Sequence, residues 1–136
     1  MPTVPQLLVL AIFAVSQIAH AQKIDPDPVA TIQAYSPTEI DSHMSAMAQA
    51  ISVSAPIQAD AVTTVVRAIY VKPSRMLVYM VQLSAPISPA DAAQSMKSGF
   101  CAGRTNLALI AKGVTYQYAV TTPTQTYNIT FTKGSC

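Results

Sequence analysis

Between residues 36 and 131 the apolar positions switch period three times, and each period predicts a different kind of element. Ile40, Met44, Met47 and Ile51 recur every three or four residues, the spacing of one stripe along an α-helix. The start of that helix is written just before the stripe. Ser36 can accept from the backbone three residues on, Pro37 needs no partner for an N–H it lacks, and Glu39 can reach back to the cap. The pattern predicts a helix of about four turns over residues 36–53, ended before Pro56.

Residues 59–71 and 75–83 are rich in Val, Thr, Ile and Tyr and flank the turn "KPS". They predict a hairpin of two long strands, apolar at nearly every middle position and therefore central in a sheet. Ser88, Pro89 and Asp91 repeat the earlier start signal, and the helix they open is interrupted by Gly99 and Gly103 on either side of Cys101. A short helix over 105–113 follows, with Lys112 in its last turn and Gly113 just past its end. The clearest alternation comes last. Val114, Tyr116, Tyr118 and Val120 share one face of a strand, and Tyr127, Ile129 and Phe131 share one face of its partner across "TTPTQ". The predicted fold is α+β: a two-layer, four-stranded antiparallel sheet with helices on one face, in the order αββααββ, held by one disulfide.

The N-terminal third of the pattern is different. Leu7 to Ala19 is apolar almost throughout, follows the uncharged "MPTVPQ", and leads into Ala19-His20-Ala21. A short apolar core before an A-x-A site is the layout of a secretory signal peptide, cleaved after Ala21. The run is shorter than the roughly 20 apolar residues a membrane span needs. The missing basic residue before it leaves an uncleaved inner-membrane anchor as the alternative. The expected divisions are a signal at 1–21, a flexible arm at 22–35 and one domain at 36–136. In the arm, Asp25-Pro26 and Asp27-Pro28 favour extended backbone. Cleavage would leave 115 residues, enough for one domain with a real core. No stable membrane span is expected after it.

An exported chain changes how its two cysteines read. Cys101 and Cys136 are an even pair in an oxidising compartment, so they are expected to bond to each other rather than supply a reactive thiol at Cys101. Charge adds little. The net charge is +2 and the eight basic residues are scattered, which is no footprint for nucleic acid.

Candidate chemistry is sparse. His43 is the histidine left after cleavage. Its spacing from Glu39 suits a surface contact along the helix better than general-base catalysis. Asp25 and Asp27 precede prolines, Glu39 and Asp91 belong to helix starts, and no carboxylate pair is left for glycoside chemistry. There is no G-x-S-x-G and no glycine-rich phosphate loop. His43, Met44 and Met47 lie within about one helical turn, and soft sulfur with one imidazole suits Cu(I). Met44 and Met47 also lie on the apolar stripe, which favours core packing. Asn128-Ile129-Thr130 matches a glycosylation pattern inside a predicted strand. Tyr116, Tyr118 and Tyr127 fit a half-buried sheet better than a binding face. No catalytic residue, metal site or cofactor is expected.

The order of features resembles that of small bacterial periplasmic proteins. The pieces are "VYMVQL" at Val78–Leu83, "FCAGRTNLALIAKGVTYQY" at Phe100–Tyr118, and "YNITFTKGSC" at Tyr127–Cys136. The set resembles the quorum-sensing-regulated virulence factor type, and accessory proteins of secretion or conjugation systems, over about residues 36–136. The resemblance implies an α+β periplasmic domain with a Cys101–Cys136 disulfide that acts through protein contacts and carries no active site. The expectation is a non-enzymatic periplasmic or secreted protein, virulence-associated or accessory to a secretion or conjugation system. Its partner would be another envelope or secreted protein. The alternatives are an enzyme inhibitor presenting Lys72–Arg75, and Cu(I) handling by His43, Met44 and Met47.

Overall fold

Two serines set the helical layer. In the computed structural model, which describes residues 26–136, the Ser36 hydroxyl accepts from Glu39 N–H at 3.2 Å while the Glu39 carboxylate accepts from Ser36 N–H at 3.1 Å. That reciprocal pair opens a helix over Pro37–Ser54, four residues of which (Ile40, Met44, Met47 and Ile51) are buried as the stripe predicted. The forward half of that pair alone opens Pro89–Ala102, where the Ser88 hydroxyl accepts from Asp91 N–H at 3.2 Å. Signal segment 1–21, its cleavage site, the alternative anchor and arm residues 22–25 lie outside the described residues.

The chain runs α1 (Pro28–Ala34), α2 (Pro37–Ser54), β1 (Ile57–Gln58), β2 (Thr63–Val71), a 3-10 turn (Lys72–Ser74), β3 (Met76–Leu83), α3 (Pro89–Ala102), α4 (Arg104–Ala111), β4 (Thr115–Thr121) and β5 (Thr126–Phe131). Three parts differ from the expectation.

The first is the arm. Asp27, at φ −141° and ψ 78°, is the cap of α1. Its carboxylate accepts from Ala30 N–H at 3.1 Å, and Ile32 is buried against the rest of the core. Lys112 fastens the α1–α2 junction by donating from Nζ to the Tyr35 carbonyl at 2.9 Å.

The second is the sheet. It has five strands in the order β1-β2-β3-β4-β5, not four, and it is mixed. The β2–β3 and β4–β5 hairpins are antiparallel as predicted, but β3 and β4 run parallel from Met76↔Thr115 to Gln82↔Thr121. The reason lies in the connection. Helices α3 and α4 both fall between these strands, and so long a crossover carries the chain back to the end at which β3 began. The extra strand, β1, is a two-residue rung on Thr64 and Val65. In β2 a bulge between Val65 and Arg67 leaves Val66 unpaired and shifts the alternation, so that Val66 and Arg67 are both exposed.

The third is the helical break. Gly99 lies inside α3, and the interruption falls at Gly103 alone. Gly113 takes φ +93° beyond the end of α4. Its N–H donates to Ile110 and that of Val114 donates to Leu109, the pair of bonds that closes a Schellman motif.

All four described helices bury their apolar residues in one cluster with a single face of the sheet. Aromatic rings run through it. Phe100 of α3 stacks on Phe131 at 4.5 Å and meets Tyr116 edge-on at 4.8 Å, and Tyr118 stacks on Tyr79 at 5.1 Å. One sheet edge is sealed by a side chain: Ser52 Oγ of α2 accepts from Ala68 N–H at 3.1 Å and donates to the Ala68 carbonyl at 2.7 Å. This meets both outward-facing backbone groups of that β2 residue, which would otherwise be open to another strand.

Candidate functional site

Cys101 and Cys136 form the expected disulfide, with Cα atoms 5.6 Å apart. It joins α3 to the segment after β5 and closes a loop containing α4 and the second hairpin. Neither sulfur is a free thiol.

The other sequence candidates are dispersed or absorbed by packing. Met44 and Met47 are in the core, and the Tyr79 hydroxyl donates to Met47 Sδ at 3.9 Å. His43 lies one turn before Met47 on α2, half-buried, with its ring 5.5 Å from that of Tyr35. The two thioethers are thus taken up by core packing. Among the described residues no cluster of three or more His, Cys, Asp or Glu side chains could hold a metal. Glu39 is engaged in its cap, where the Ser36 backbone N–H holds its carboxyl below the ordinary range. Tyr116 and Tyr118 are core residues rather than a binding face. Burial pushes both phenols well above their ordinary value. Tyr127 is half-buried and donates to the Ile87 carbonyl at 2.8 Å. Asn128 is exposed on β5.

The turn at Lys72–Arg75 does not present a free arginine. Arg75 takes a left-handed conformation (φ 49°), and its Nε lies 3.5 Å from Asp41 Oδ1. The same oxygen accepts from the Tyr70 hydroxyl at 2.6 Å. Burial, and then that bond to a carboxylate, raise the Tyr70 phenol. This Asp41–Tyr70–Arg75 group locks α2 to the β2–β3 hairpin. Sequence reading missed it because the partners come from segments about thirty residues apart, with no local signal joining them.

The remaining large feature is the opposite face of the sheet. Strand pairing puts residues opposite one another on the same side. Arg67 faces with Met80, Ile69 with Val78, and Val71 with Met76, and the parallel register adds Gln117 and Ala119. None of the hydrophobic residues in this set packs against the core cluster. Toward β5 the face turns polar, with Thr126, Asn128 and Thr130 all exposed. Its β2–β3 half is thus an apolar surface that no described helix covers. Parallel pairs such as β3–β4 normally have both faces covered.

Among the described residues no helix is long and apolar enough to cross a membrane. The sequence matches no protein-family model and no curated protein. Solved structures do match. The type II secretion system pilotin AspS from Vibrio cholerae superimposes with a TM-score of 0.60 at 18% identity, over 74% of this chain and 94% of that one. The type 2 secretion pilotin EpsS from Vibrio vulnificus gives 0.61 at 19% identity over 74% and 94%. A Pseudomonas aeruginosa protein assigned as secreted gives 0.61 at 17% identity over 74% and 95%. These comparisons lend no support to the quorum-sensing-regulated resemblance. What they establish is architecture: this chain has a fold similar to that of two type II secretion pilotins, along nearly their whole length.

Proposed function

We propose that this chain is an exported, non-enzymatic accessory protein of a type II secretion machine, working in the periplasm or outside the cell by contact with another envelope protein. The observation that carries the reading is the likeness to AspS and EpsS, which spans 94% of each pilotin. The distribution of reactive groups supports it. Met44 and Met47 are buried in the core, the cysteines are bonded, and Asp41 is committed to Tyr70 and Arg75. The domain would begin after a signal segment removed at Ala21.

Deleting the gene and measuring type II substrates in the culture medium tests this reading. Loss of secretion, restored by the wild-type gene, together with co-isolation of secretion-machine components with the tagged protein, is the expected result. Undiminished secretion, with no such component bound, would overturn it.

A further inference from the structure

An antiparallel sheet layered with helices on one side usually presents a polar face to water, whereas parallel pairs are covered on both sides. This sheet does neither on its β2–β3 half. Ile69, Val71, Met76, Val78 and Met80 form a contiguous apolar surface there, with Val71 41% exposed and the other four half-buried. No described helix contributes to that side, because all four point their buried residues into the cluster opposite. Contiguous apolar surface of this kind marks a place where something docks.

Charge says what would fit. Among all residues of β2 to β5 the single charged one is Arg67, which lies on this face beside Met80. Lys72, exposed, follows Val71 at the other end of the row. Arg75 is already paired with Asp41, so it does not contribute. An apolar surface with unopposed cations at two ends and no carboxylate on its strands complements a segment that is apolar and acidic.

We propose that this helix-free face docks an amphipathic, acidic segment of the envelope partner, its apolar side covering Val71, Val78 and Met80 and its carboxylates meeting Arg67 and Lys72. The inference rests on the accessory reading above and specifies the surface through which that role is exercised. A second copy of this chain docked by the same face is a poorer occupant, since that face would bring the same cations and its strands no acid. The electrostatic part acts mainly on association rate and fades with salt.

The test uses overlapping synthetic peptides covering the periplasmic portions of the type II secretion components of the same organism, with the purified mature protein. Binding is read by fluorescence anisotropy for wild type, Val78→Asp, Arg67→Glu and a control on the helical layer, Leu107→Asp. The expected result is that peptides combining an apolar stripe with Asp and Glu bind, that Val78→Asp and Arg67→Glu each weaken binding at least tenfold, and that Leu107→Asp does not. Arg67→Glu alters an exposed side chain, so it keeps the test decisive should Val78→Asp fail to fold by thermal melt. Binding by peptides or whole components that survives Arg67→Glu, or is lost only with Leu107→Asp, would overturn the docking surface while leaving the accessory role intact. A wild-type dimer in sedimentation that Arg67→Glu or Val78→Asp alters would reassign the face to self-association. Crosslinking of the face to residues 22–25 of the same chain would overturn it too. If neither peptides nor whole components bind anywhere on the protein, the accessory reading itself fails.

Discussion

Raising the pH should unfold this protein through its tyrosines, by an amount that follows from where they sit. Tyr116 and Tyr118 are fully buried in the aromatic layer between α3 and the sheet, and burial raises both phenols well above the ordinary value of 10.0. In the unfolded chain each would lose its proton near pH 10, while in the folded protein each keeps it. The unfolded state therefore binds fewer protons above pH 10, and stability falls as pH rises. Below pH 10 both states hold these protons and the contribution is constant. Each such tyrosine contributes a slope of about 1.4 kcal/mol per pH unit, so the pair removes about 2.7 kcal/mol per unit. A domain with about 5 kcal/mol of stability would then reach its midpoint roughly two units above 10. Tyr70 and Tyr127, less buried but also raised, steepen the loss somewhat. The assay is a titration that follows tyrosinate absorbance and far-ultraviolet circular dichroism together. The buried tyrosines should ionise with the loss of helix signal, and Tyr116→Phe should reduce the slope by about 1.4 kcal/mol per pH unit. Ionisation of all six tyrosines in one ordinary titration, with the circular dichroism still native, would refute the reasoning.

The disulfide spans 35 residues, so Cys101→Ala/Cys136→Ala should lower stability by about 4 kcal/mol in the chain-entropy model; an unchanged urea midpoint would contradict this. Ser52→Ala leaves the outward N–H and carbonyl of Ala68 without their partner, and should cost about 1–2 kcal/mol in urea melts and promote association visible by light scattering. Around Asp41, Tyr70→Phe removes a 2.6 Å bond to a carboxylate and should cost about 1.5–3 kcal/mol. Arg75→Ala, which breaks a longer contact on a side chain 37% exposed, should cost under about 1 kcal/mol; the reverse ranking in equilibrium unfolding would overturn that account.

Much of this architecture is legible along the chain because its signals are local. Ser36-Pro37-x-Glu39, Ser88-Pro89 and Gly113 mark helix ends within a few residues of the groups they satisfy. The alternation over 114–120 and 127–131 names the buried face of the last hairpin before any partner is known. Two cysteines leave one intramolecular pairing. Residue 28 shows the limit of such signals. Asp27-Pro28 has the same cap-then-proline form as Ser36-Pro37, yet the helix it opens is only seven residues long. A helix that short is held by tertiary contact, here the burial of Ile32, and no propensity sum announces it.

The tertiary structure alone decided the rest, because each remaining feature depends on segments that meet only after folding. Whether β4 runs with or against β3 depends on how the two helices between them pack back across the sheet, and no periodicity within either strand records that. β1 is too short to carry a period, and exists because β2 offers it an edge. Asp41 looks like an ordinary surface acid until the hairpin brings Tyr70 and Arg75 to it. The near-continuous apolar runs of β2 and β3 predict two central strands. β3 is central, whereas β2 has only the two-residue β1 beyond it, and a central strand can be covered on one side or on both. That one side stays without a described helix follows from all four described helices choosing the same face.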